Sequence, residues 1–129
     1  MEEHEKELFI KISLEKSQEA WKIAKYSIEN ELWMTTLNRI YYAMFYVVTA
    51  LGYKHDFKTS KHSALKIWFN KKFVNDEKII EPELYSIYNT AFENRQESDY
   101  KMTYIANEKS VKTLFVEAKN FIEEISKII

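Results

Sequence analysis

The sequence predicts an all-α protein, a five-helix up-and-down antiparallel bundle, on three observations. Glycine and proline occur once each, at Gly52 and Pro82, so little interrupts long helices. Apolar residues recur at steps of three and four along most of the chain. The 129 residues are 46% hydrophobic and 16% aromatic, enough to fill the core of one domain covering residues 1–129.

The first helix is expected from about Glu5 to Ile28. Ile10, Leu14, Ser17, Trp21, Ala24 and Ile28 share one face, and Asn30 is the stop. The second runs from about Glu31 to Leu51, with Trp33, Leu37, Ile40, Met44, Val47 and Leu51 as its main stripe. Gly52 ends it in the left-handed conformation. Between Ile40 and Leu51 this helix is apolar or aromatic nearly all round. Such a helix is central in its bundle or buried between subunits. After the loop "GYKHDFKTS", Thr59 or Ser60 caps a third helix through about Phe73, with Ala64, Ile67 and Trp68 inward. "NDEK" is a turn. Pro82 opens a fourth helix carrying Leu84, Ile87, Tyr88 and Ala91. A fifth, from about Ile105 to Ile128, shows Val111, Leu114, Ala118, Phe121 and Ile125 on one face.

Charge and composition narrow the functions. The net charge of −1 argues against a general affinity for nucleic-acid backbone, though not against a local basic patch. Without cysteine there are no disulfides or thiolate metal sites. Three scattered histidines give no paired ligand spacing, so no metal and no cofactor is expected. No apolar run reaches the ~20 residues of a membrane span, and "MEEHEKE" is unlike a signal peptide. The expected location is cytoplasmic. No glycine-rich phosphate loop and no nucleophile elbow is present.

Only two of the nineteen basic residues are arginines, and both stand on helix faces that call for explanation. Leu84, Tyr88, Ala91 and Arg95 continue one stripe at steps of four, three and four. Arg95 therefore faces inward and needs a partner, a pocket or an interface. Asp99 lies one turn on, and Tyr100 flanks the pair. The plain alternative is a structural Arg95–Asp99 pair, worth about 0.2–0.5 kcal/mol if exposed. In the second helix Thr35, Arg39, Tyr42 and Tyr46 form a polar-aromatic stripe, facing a partner subunit or a wet groove, or merely burying rings while Arg39 reaches water. His62, in "TSKHSA", starts the third helix. A helix N-terminus disfavours imidazolium and offers N–H groups to an anion, with Lys58 and Lys61 close in sequence, although a loop histidine can also be simply exposed.

Three segments together resemble the HEPN domain family (higher eukaryotes and prokaryotes nucleotide-binding). "TLNRIYYAMFYVVTAL" is similar to its second-helix signature, "KTSKHSALKIWFNKKFV" to the following K-T-H-S segment, and "NRQESDY" to the R-x-x-x-D-Y that closes the next helix in one branch. The likeness spans about residues 14 to 125 in the same order. It implies a five-helix bundle that dimerises. It also implies a minimal nucleotidyltransferase as partner, within a toxin–antitoxin or defence module. Many members are metal-independent ribonucleases with an R-x4–6-H motif, two copies of which meet across the dimer. Here no histidine follows Arg95; Tyr100 stands at that place, and a phenol of pKa ~10 is a poor base near neutrality.

The resemblance thus leads to a nucleotide- or RNA-binding homodimer with Arg39, Tyr42, Lys61, His62 and Arg95 as binding residues. The alternatives are a ribonuclease using Arg95, Asp99 and Tyr100, with His62 as a further candidate, and a purely structural helical adaptor. In some paired systems of the family the partner adenylylates a tyrosine just after the motif. That place aligns with Met102 here, so Tyr100 and Tyr104 are the nearest candidates.

Overall fold

The structure, a computed structural model, describes residues 1–129. It is all-α: α1 (Glu3–Glu29), α2 (Trp33–Lys54), α3 (His62–Phe69), a π-helical turn (Asn70–Asp76), α4 (Pro82–Tyr100) and α5 (Glu108–Ser126). No helix is long and apolar enough to cross a membrane.

α2 is the axis of the bundle and packs against α1, α3, α4 and α5. It buries residues on every side, from Leu37, Ile40 and Tyr41 to Val47, Val48 and Leu51. Its apolar girth is therefore consumed within one chain, which a second subunit is not needed to explain. α5 buries Val111, Leu114, Ala118, Phe121 and Ile125, the stripe its spacing predicts. Asn107 caps it, its side-chain oxygen accepting from the Ser110 N–H at 3.0 Å. Pro82 stands in the first turn of α4, as expected.

α1 turns its predicted side inward, but the residues it buries are small: Ser13, Ser17, Ala20, Ala24 and Ser27. Small side chains let its backbone lie close to α2. The Ser17 hydroxyl donates to the Ala43 carbonyl (2.7 Å), and the Ser27 and Thr36 hydroxyls pair (2.7 Å). The larger Leu14 and Trp21 flank that seam, Trp21 stacking on Phe115 with centroids 4.5 Å apart. Asn30 ends α1, its amide donating back to the Tyr26 carbonyl.

Three local expectations fail. Gly52 is not a left-handed cap: α2 continues to Lys54, and Asp56 takes the positive φ (60°). Glycine is needed because the following loop folds back, the Phe57 N–H donating to the Gly52 carbonyl at 2.8 Å; a Cβ there would meet the Phe57 carbonyl oxygen at 2.9 Å. The inward face of α3 is Leu65 and Phe69, while Ile67 is exposed. Phe69 and Phe73, four apart, must both enter the core, and that sets the face one residue away from Ala64 and Ile67. Neither Thr59 nor Ser60 caps α3. Lys61 is the cap position, without a side-chain bond, and the Thr59 hydroxyl oxygen accepts from the Lys61 N–H.

Candidate functional site

Three helices meet around Tyr41, His62 and Arg95. Tyr41 projects from α2 and is fully buried, His62 is the first residue of α3, and Arg95 comes from α4. The Tyr41 hydroxyl lies 2.7 Å from His62 Nδ1, and Arg95 Nη1 lies 3.2 Å from the same nitrogen. A guanidinium can only donate. His62 Nδ1 is therefore an unprotonated acceptor, and the ring's proton sits on Nε2. Tyr41 also donates to Nδ1, so two donors share one lone pair.

The electrostatics agree with that tautomer. Burial lowers the His62 pKa, and the neighbouring Arg95 charge lowers it further, so the ring is neutral at physiological pH. Burial pushes the Tyr41 hydroxyl far above the ordinary tyrosine value, with Arg95 opposing but not cancelling the effect. It remains a donor. Phe45 holds the imidazole flat, ring centroids 4.0 Å apart and 14° between planes.

Arg95 lies over aromatic faces, its Cζ 5.2 Å from both the Tyr41 and Tyr42 centroids. Its side chain retains only 23% exposure. Asp99 Oδ2 lies 3.4 Å from Nε, close enough to attract the charge but not aligned to accept a hydrogen bond. Nε is buried without any hydrogen-bond partner. The fork is thus held on one edge by His62, loosely neutralised by a half-exposed carboxylate, and left with its unburied Nη2 donor for an anion.

Other predicted residues divide. Arg39 stands 5.1 Å from the Tyr42 ring and donates from Nε and Nη2 to its neighbour Asn38, so Tyr42 has both arginines of the chain beside it. Tyr46 joins the same aromatic row through Tyr42 and Phe45. Lys61 is exposed. Tyr100, expected to flank Arg95, is 84% exposed at the end of α4 and touches neither the guanidinium nor His62, because Arg95 turns toward α3 instead of along its own helix. Tyr104 is half-buried in a different cavity of about 570 Å³, with Thr90, Asn94 and Ser110. No cluster of metal-ligating side chains exists. Two members of the site escaped the sequence reading. Tyr41 and Phe45 lie in a stretch that is apolar or aromatic throughout, where no spacing distinguishes a bonded hydroxyl from a buried ring.

Fold and site together define a helical-bundle protein built around an inward arginine–histidine–tyrosine cluster. The profile of the HEPN domain matches residues 10–129, and the chain belongs to that family. A UPF0332 protein of Thermotoga maritima is 36% identical over 126 residues, covering 98% of this chain and 95% of its own. Two proteins of Methanocaldococcus jannaschii are also similar. "Putative toxin MJ0142" is 27% identical, over 88% of this chain and 77% of its own. "Putative toxin MJ0605" is 29% identical, over 92% of this chain and 87% of its own.

Proposed function

We propose that this HEPN protein is a toxin-like module that binds the phosphate of a nucleotide or RNA at the Arg95–His62 cluster. It works in the cytoplasm as a homodimer beside a minimal nucleotidyltransferase partner. The observation that carries the binding role is the half-satisfied Arg95 fork: positioned by His62 through Nη1, backed by two tyrosine rings, with Nη2 unburied and without a hydrogen-bond partner in the protein. A planar fork with free donors suits a tetrahedral anion. His62 adds an Nε2–H donor, and Tyr42 and Phe45 offer aromatic surface for a base. The names of two relatives support a toxin-like role.

The geometry favours binding over cleavage. The His62 lone pair is already taken by Tyr41 and Arg95, so in this state the ring cannot accept a proton from a nucleophile. Tyr100, 84% exposed at the end of α4, makes no hydrogen bond to the cluster in its place. Binding of ATP and of short single-stranded RNA to the wild type and to Arg95→Lys is the direct test. Loss of the bidentate grip should weaken binding roughly ten- to a hundredfold while folding is kept. Unchanged affinity in Arg95→Lys would remove the site from this role. RNA cleavage that persists in EDTA and disappears in His62→Gln would establish the ribonuclease reading instead. A monomer in sedimentation at working concentration would refute the dimer.

A further inference from the structure

Lys66 stands one turn after His62 on α3, so the two side chains leave the same face. Across from them α4 runs in the opposite sense. His62 meets Arg95, while Lys66 meets residues one to two turns earlier in α4: its ammonium donates to the Asn89 side-chain oxygen and lies 4.2 Å from the Phe92 centroid. The two cations are linked through rings, since Phe92 touches Tyr41 (6.2 Å) and Tyr41 lies beneath Arg95. The groove between α3 and α4 thus has two cationic rungs, Arg95 beside His62 and Lys66 beside Asn89 and Phe92.

Lys66 is half-buried, yet it makes no ion pair. Burial lowers its pKa, and the charge of Glu93 acts in the other direction. Glu93 is engaged with Asn89, whose amide donates to its Oε1 at 3.1 Å. A neutral amide and a ring face hold the ammonium, and the nearby Glu93 carboxylate acts on it without forming an ion pair. A lysine that only filled the groove would send its head group to water or to a carboxylate.

We infer that Lys66 forms a second phosphate subsite, so that the α3–α4 groove takes two successive phosphodiester groups of single-stranded RNA. This rests on the reading of Arg95 as a phosphate ligand and adds a chain-length requirement to it. Tyr42 and Phe45 beside the Arg95 rung favour unpaired bases, which alone can stack on them.

The test titrates the full chain with ApA (one phosphodiester), ApApA (two) and a decauridylate at several salt concentrations. Lys66→Met keeps the stem over Phe92 and removes the charge; Lys66→Arg keeps the charge. Lys66→Met should weaken ApApA and decauridylate roughly tenfold and leave ApA unchanged. It should reduce the salt slope of decauridylate binding by about 0.7, one phosphate on a single strand. Lys66→Arg should restore the slope. Glu93→Gln should tighten the longer ligands, because it removes a carboxylate beside the subsite. Equal loss for ApA and ApApA, an unchanged slope, or a preference for ATP over decauridylate would overturn the subsite while leaving the Arg95 site standing. No binding of any probe by wild type, or no effect of Arg95→Lys on any of them, would overturn both.

Discussion

Two buried tyrosines stack on each other, centroids 6.4 Å apart, and their hydroxyls predict opposite responses to the same substitution. Tyr41 donates to His62 at 2.7 Å, whereas the Tyr88 hydroxyl is fully buried and has no hydrogen-bond partner in the protein. Changing either residue to phenylalanine keeps the ring and its packing, Tyr88 against Phe69 and Phe121 included. Tyr41→Phe loses a net hydrogen bond of about 0.5–1.5 kcal/mol. It also leaves the His62 lone pair to Arg95 alone, so the cluster is weakened but not orphaned. Tyr88→Phe removes a polar group whose unpaired burial costs about 1–3 kcal/mol, and stability should rise by about 1 kcal/mol. For a chain of 129 residues about 1 kcal/mol moves Tm by about 4 °C. Thermal unfolding at neutral pH, where His62 is uncharged, should therefore show Tyr41→Phe melting a few degrees below wild type and Tyr88→Phe a few degrees above it. A shift of the same sign in both variants would refute the assignment of the bonded and unbonded hydroxyls.

Gly52→Ala should destabilise by up to about 2 kcal/mol in denaturant unfolding. The clash with the Phe57 carbonyl outweighs a helix-propensity gain of about 1 kcal/mol, and a stabilised variant would show that the loop yields easily. Acidification should cost stability through His62. Its folded pKa lies below the unfolded value, so its contribution is complete above the unfolded pKa, about 6.5, and is lost as pH falls through the folded pKa. Protonation would take Nδ1 from Tyr41 and Arg95 and set two cations side by side, so His62→Gln should flatten this part of the pH–stability curve; an unaltered curve would contradict the tautomer. Co-expression with an active nucleotidyltransferase partner should add AMP to Tyr100 rather than Tyr104, since Tyr100 is 84% exposed and Tyr104 is half-buried; mass spectrometry locating AMP on Tyr104, or on neither, would refute this order.

How much of this was legible depended on what each residue packs against. α5 turns one clean face to the bundle, so its five buried residues follow directly from period and polarity. α1 shows the limit of that logic: its large apolar residues mark the correct side, but close approach to α2 puts serines and alanines at the centre of the seam. The face of α3 was set by Phe69 and Phe73 reaching the core through a π-helical turn, which local propensity does not reveal. In the site, Arg95 was visible because it continues an apolar stripe, and Asp99 because it lies at i+4. His62 stood out only as a lone histidine, since its partnership with Arg95 bridges thirty-three positions of chain. Tyr100 was misplaced because spacing along one helix ignores the direction in which a long side chain turns to find a partner on another.

The places where local rules fail gather around the groove. α3 begins without a side-chain cap, places a histidine in its first turn and a desolvated lysine in its second, and ends in a π-helical turn. That turn buries the consecutive residues Phe73 and Val74, and the Phe73 carbonyl then accepts from the Ile79 and Ile80 N–H groups. Anchored there and by Leu65 and Phe69, the short helix can hold His62 and Lys66 against α4 without ideal ends of its own. The charge balance of the groove points outward from the protein. The chain as a whole carries −1, so no diffuse basic surface draws in nucleic acid. Arg95 and Lys66 nevertheless hold their charges in a partly desolvated groove, with the half-exposed Asp99 close to the first and Glu93 acting on the second without an ion pair. Protonating His62 would only add positive charge. Under the proposed role an anion from outside completes the balance. Under the proposed binding role such a ligand would gain from two cations over a short footprint while the surrounding surface offers it little, and selectivity for a short single-stranded segment is the expected outcome.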